Sequence, residues 1–170
     1  TSDNTTSVDF TKQSGAGTVS GTGTSTAAAG VATKTVTGVL AGSVTMQATA
    51  AGLTTGTLGA FTVVHGAATQ IALSGAVADL TSGATRVLTA TIQDAAGNTV
   101  TSDNTTSVDF TKQSGAGTVS GTGAATAASG VATKTITGQL AGSVTMQATA
   151  AGLTTGTLDA FTVVHGAAAQ

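Results

Sequence analysis

The sequence contains no cysteine, no proline, no tryptophan and no tyrosine, and its only aromatic residues besides two histidines are four phenylalanines. Without cysteine there are no disulfide staples and no thiolate metal sites. Charge is almost as scarce. Seven Asp, no Glu and five Lys or Arg make up 7% of the chain, against about 25% in an ordinary soluble domain. Losing Glu and most Lys removes the usual surface helix formers. A net charge of −2 supplies no basic stripe, and the aromatic platforms on which bases stack are missing too, so nucleic acid is excluded as a partner. No apolar run approaches the ~18 residues of a membrane span, and no signal-peptide pattern is present.

What remains is dominated by Thr, Ala and Gly, more than half of the 170 residues. Hydrophobic residues reach 40%, the reverse of the low-hydrophobicity, high-charge balance that keeps a chain disordered. The chain can fold, but on a thin core of Val, Leu, Ile, Met and a few Phe. Thr is β-branched, stiff at χ1 and suited to a pleated, half-exposed surface. A chain that wets its outer face with Thr is a sheet protein.

Residues 1–70 recur as 101–170 with seven differences, among them Val36 to Ile136, Val39 to Gln139, Gly59 to Asp159 and Thr69 to Ala169. The period of about 100 residues is the size of one β-sandwich. Such near-identity points to duplication within a tandem array. The predicted organisation is an incomplete repeat over 1–66, lacking its first two strands, and a complete repeat over 67–170. Donation of residues 71–100 between copies of this chain never balances, because lending them opens the lender. The expectation is therefore an excerpt of a longer chain, with another such segment before Thr1 and one after Gln170.

Within the complete unit, Gln70–Ser74 reads as a short strand. Thr85–Gln93 alternates Leu88, Ala90 and Ile92 against Val87, Thr89 and Thr91, the period of two of a half-buried strand. Asp94-Ala95-Ala96-Gly97-Asn98 then carries tight-turn chemistry. A third strand is expected from Val100, a fourth over 107–111, and a brief extended piece near Val119. After a Gly- and Ala-rich loop, further strands are expected over 131–137, 143–150 and 158–164. Lys134 shares a face with Ile136, as at a sheet margin where Lys reaches water. Leu88, Ile92, Val108, Phe110, Val144, Met146, Phe161 and Val163 form the predicted core. Strands separated by turn signals every 8–15 residues predict tandem all-β, immunoglobulin-like Greek-key sandwiches.

The stretch Leu88-Thr89-Ala90-Thr91-Ile92-Gln93-Asp94-Ala95-Ala96-Gly97-Asn98 resembles the strand-turn signature of bacterial immunoglobulin-like repeats of the invasin and intimin type. Gly130-Val131-Ala132-Thr133 and Ala141 to Ala148 are similar to two later signatures of that family, in the same order. Thr99 stands where the family often has Pro. The resemblance implies a non-catalytic, extracellular stalk or fibre module at the cell surface. Its partners would be neighbouring repeats of the same chain, or neighbouring chains in a fibre. The alternative is an adhesive module that contacts a glycan or receptor through end loops, although the Trp, Tyr and Arg that anchor such contacts are nearly absent.

No nucleophile, base and orienter converge at a suggestive spacing, so no enzyme is expected. His65 and His165 occupy one repeat position beside Gly66 and Gly166, at the junction between units. Asp94, Asn98, Asp103 and Asn104 are the oxygen-rich cluster of the kind Ca²⁺ takes. Calcium-stiffened joints are usually richer in Asp, and Asp94 and Asn98 suit turn residues that bond their own backbone. No metal and no cofactor are expected. Asn4-Thr5-Thr6 and Asn104-Thr105-Thr106 match the glycosylation pattern, which arises readily in so Thr-rich a chain. Gly115-Ala116-Gly117 and Gly121-Thr122-Gly123 lack the Lys and helix of a phosphate loop and read as hairpin turns.

Overall fold

A computed structural model of the chain describes residues 2–166. Among the described residues every regular element is a β-strand, and no helix is long and apolar enough to cross a membrane. The chain divides into two compact units, with the boundary between His65 and Gly66.

Unit 1 contains β1 (Ser7–Ser14), β2 (Val19–Ser20), β3 (Gly23–Thr26), β4 (Thr37–Gly38), β5 (Gly42–Thr49) and β6 (Gly56–Val63). They form a four-stranded sheet in the order β3-β1-β5-β6 and a two-stranded pair β2-β4. Unit 2 contains β7 (Gln70–Ser74), β8 (Leu80–Thr81), β9 (Thr85–Gln93), β10 (Ser107–Ser114) and β11 (Val119–Ser120). It continues with β12 (Gly123–Thr126), β13 (Val131–Gly138), β14 (Gly142–Thr149) and β15 (Gly156–Val164).

In unit 2 the strands build two sheets, β12-β10-β14-β15-β8 and β11-β13-β9-β7. The chain leaves β7 in one sheet, adds β8 parallel to β15 in the other, and returns to the first as β9. The other strand–strand pairings are antiparallel, and consecutive strands switch sheets as in a Greek key, except that β14 and β15 pair within one sheet. The result is an immunoglobulin-like sandwich. Inward residues of both sheets meet in one cluster, and all eight predicted core residues lie in it at 2% exposure or less. Each large side chain so buried contributes about 1.5–3 kcal/mol of transfer free energy.

β7 and β9 have the bounds expected from the sequence. Lys134 lies on the face of the buried Ala132 and Ile136, and its Nζ reaches out to donate to the Ala124 carbonyl at 3.1 Å. Two local expectations fail, and one short strand was not anticipated. Val100 starts no strand: it is buried inside a turn, its N–H donating to Ile92 and its carbonyl accepting from Asp103. The Gly- and Ala-rich stretch is not all loop, since Gly123–Thr126 is an edge strand paired with Ser107–Phe110. Its counterpart Gly23–Thr26 carries Thr24 and Ser25 instead of two Ala and is the same strand, so the pairing and not local propensity makes it. β8 is two residues long and carries no periodic signal.

Gly115 shows why these turns need glycine. Its φ is +104°, and a Cβ there would sit 2.0 Å from the Ser143 carbonyl oxygen.

Candidate functional site

The Asp94 turn is the densest polar feature of unit 2. The carboxylate follows β9 directly, and Gly97 at φ +85° folds the chain back so that amides converge on it. Oδ1 accepts from the N–H groups of Ala96 and Asn98, both at 2.9 Å. Oδ2 accepts from the Asn98 side-chain amide at 2.9 Å and from the Gly66 N–H at 2.7 Å. With Asp94 at 5% and Asn98 at 8% exposure, the nest is shielded from water. The Asn98 amide, followed by the Gly66 N–H, holds the Asp94 carboxyl down at about 2. Four N–H donors on one carboxylate fasten the start of unit 2 and leave its lone pairs committed.

Asp103 turns a separate corner. Oδ1 accepts from the N–H groups of Thr105 and Thr106 at 3.0 Å, and Oδ2 accepts from the Thr106 hydroxyl at 2.6 Å. The Thr106 hydroxyl is the main reason its carboxyl titrates below the ordinary range. Thus Asp94 and Asn98 are brought together, while Asp103 bonds its own loop. Among the described residues no group of three or more His, Cys, Asp or Glu is placed to hold a metal ion.

Asn104 has a role that its sequence pattern hid. Its Oδ1 accepts from the Ser129 N–H at 2.8 Å and its Nδ2 donates to the Ser102 carbonyl. Ser129 stands at φ +49°, an uncommon conformation for a residue with a Cβ. Asn4 and Ala29 repeat the arrangement in unit 1, at 2.7 Å and φ +51°. The Asn staples a strained loop 25 residues away. Nothing in single-sequence spacing signals that bond. His65 and His165 follow the last strand of each unit, and His165 is exposed.

The feature shaped to hold something is apolar. In unit 1 a cleft of about 390 Å³ opens between Phe10, Val36, Met46, Ala48, Gly56 and Leu58. Leu58 is 59% exposed there, whereas its counterpart Leu158 in unit 2 is 6% exposed. Phe10 and Val36 are half-buried, whereas Phe110 and Ile136 are fully enclosed. Lys34, Gln47 and Thr57 also line it, with no carboxylate or imidazole among the lining residues to act with them as an acid–base pair.

No protein-family model matches the sequence, and no curated protein matches it. Solved structures resemble it in fold. A glycosyl hydrolase family 2 member from Bacteroides cellulosilyticus aligns with 95% of this chain at 16% identity and a TM-score of 0.52. A β-glycosidase from Bacteroides vulgatus aligns with 94% at 12% identity and a TM-score of 0.51. The chain spans about a fifth of each, 22% and 21% of their lengths. The D0-D1 domain of intimin aligns over 95% of this chain and 83% of its own, at 18% identity and a TM-score of 0.44. At 16% and 12% identity, what the two hydrolase structures share with this chain is the fold alone.

Proposed function

We propose that the chain is a non-catalytic structural spacer, a stalk or fibre segment of an extracellular surface protein, built of repeats of the invasin and intimin type. Residues 1–66 are then an incomplete repeat and residues 67–170 a complete one. The observation that carries this is the near-identity of residues 1–70 and 101–170, seven differences in 70 positions, in a sequence without a catalytic constellation. Near-identical units suit a role that counts length, where each copy does the same work.

The connector supports it. β6 ends at Val63 and β7 begins at Gln70. Of the residues between, Gly66 is bonded to Asp94 and the Thr69 N–H to the Gln93 carbonyl, both within unit 2. The Thr-rich surface, nearly free of Trp, Tyr and Arg, has few groups that anchor a receptor.

Chains of increasing repeat number, examined by small-angle scattering, test the spacer. Maximum dimension should grow in proportion to repeat number; growth as the cube root, as for a collapsing globule, would sink it. Specific retention of the 170-residue chain on a glycan array would favour the adhesive alternative instead.

A further inference from the structure

The cleft of unit 1 and the core of unit 2 are the same place in the repeat, without and with its cover. In unit 2, β9 pairs along β13 from Thr91 opposite Val131 to Thr85 opposite Thr137, and β7 pairs along β9. Leu88, Ala90, Ile92 and Ile71 are thereby enclosed in the core that also holds Phe110 and Met146. Residues 31–38 repeat the β13 sequence with one change, Val36 for Ile136, yet only Thr37–Gly38 is strand. Among the described residues no strand lies alongside 32–36.

Two glycines record what belongs there. A Cβ on Gly156 would stand 2.6 Å from the Ile71 carbonyl oxygen and 3.0 Å from the Leu73 nitrogen, so β7 backbone lies directly on it. A Cβ on Gly56 would meet nothing nearer than the Ala48 carbonyl at 4.0 Å. Unit 1 therefore keeps a glycine whose lack of a side chain serves no contact of its own.

We propose that unit 1 is a docking site for one further copy of the segment Gln70–Gln93, which adds antiparallel along residues 31–37 and closes the cleft. The register of unit 2 identifies the occupant. Thr91 would lie opposite Val31 and Thr85 opposite Thr37, with Leu88, Ala90 and Ile92 facing Phe10, Met46 and Leu58. Arg86 would cover the Phe61 ring as it covers that of Phe161, at 4.5 Å. Of the residues lining the cleft, only Val36 differs from its counterpart in unit 2. The chain's own Gln70–Gln93 is built into unit 2, so the occupant is an additional copy. Main-chain pairing supplies affinity and the alternate side-chain pockets supply specificity, as in other strand additions. The inference stands whether or not the chain is a spacer.

The full 170-residue chain titrated with a synthetic peptide of residues 69–99 tests it, with amide hydrogen exchange as the site-specific readout. The expected result is one peptide per chain and slowed exchange at 32–36, with 132–136 unchanged. Gly56→Val should leave the chain's own melting unchanged but weaken peptide binding by about 10- to 100-fold, because the added methyls meet docked backbone. A peptide carrying Leu88→Asp should not bind. Absence of binding would overturn the proposal, as would binding that leaves exchange at 32–36 unaltered or that ignores Gly56→Val. A chain that self-associates through the cleft and takes up no peptide would overturn it as well.

Discussion

The chain carries an internal control for the cost of losing a core leucine, because one side chain occurs in two environments. Leu158 is 6% exposed and Leu58, at the same repeat position, is 59% exposed. Leu158→Ala removes most of a buried side chain and leaves a cavity, so a loss of about 2–5 kcal/mol from unit 2 is expected. Leu58→Ala forfeits less than half of a leucine's transfer free energy, and it creates no new void because the cleft is already open. Its expected cost to unit 1 is about 1 kcal/mol or less. With no Trp or Tyr, intrinsic fluorescence is a poor probe. Urea titrations followed through amide resonances of Gly42–Thr49 and Gly142–Thr149 read the units separately. Equal losses at the two positions would refute the reasoning, since the cleft would then be closed in solution.

Asp94 should make unit 2 acid-sensitive. Its carboxyl is held at about 2 against an ordinary 3.8, so the stability it confers is fully present above pH about 4 and is lost as pH falls toward 2. The stability difference between the native chain and Asp94→Asn, measured in pH-stepped melts, should shrink across that window; a constant difference would contradict the nest. Gly115→Ala should cost at least about 1–3 kcal/mol, because the methyl collides with the Ser143 carbonyl in a left-handed turn. Gly152→Ala, at φ +75° with open space around it, bears only the backbone penalty of about 1–2 kcal/mol, and chemical melts of the two variants should rank them in that order. Thermal melts in EDTA and in millimolar Ca²⁺ should agree within error, since the carboxylates of Asp94 and Asp103 are engaged by N–H and O–H donors; a Ca²⁺-dependent rise would overturn this.

Strict alternation made β9 legible to the residue, because a strand with one face in the core has to alternate. The same logic placed the eight core residues. It failed where structure is conferred by a neighbour. β8 and β12 are short edge pieces held by β15 and β10, and nothing local marks them. Val100 is apolar and buried without being a strand, since burial alone does not specify extended backbone. The sharpest case is residues 31–36, which carry the β13 sequence almost unchanged and adopt no strand. Strand formation there depends on a partner, and no window of sequence contains that partner. Of the oxygen-rich cluster, the turn role of Asp94 and Asn98 was legible from their spacing. The staple made by Asn104 was not, because it joins residues 25 positions apart.

Two nearly identical copies of the β13 sequence on either side of one β9 have a consequence for how the chain reaches its native state. Thr89 ends opposite Thr133, and Thr33 waits at a comparable distance along the chain in the other direction. By the loop-length law the two closures differ by only about 0.2 kcal/mol, too little to direct a search. An emerging hairpin is therefore expected to sample both partners, so closure on the wrong one should compete with native pairing. Neighbouring repeats this alike are prone to such misassembly. Refolding from denaturant should accordingly show a slow phase that reports strand exchange, and that phase should vanish when residues 1–65 are unable to accept the hairpin.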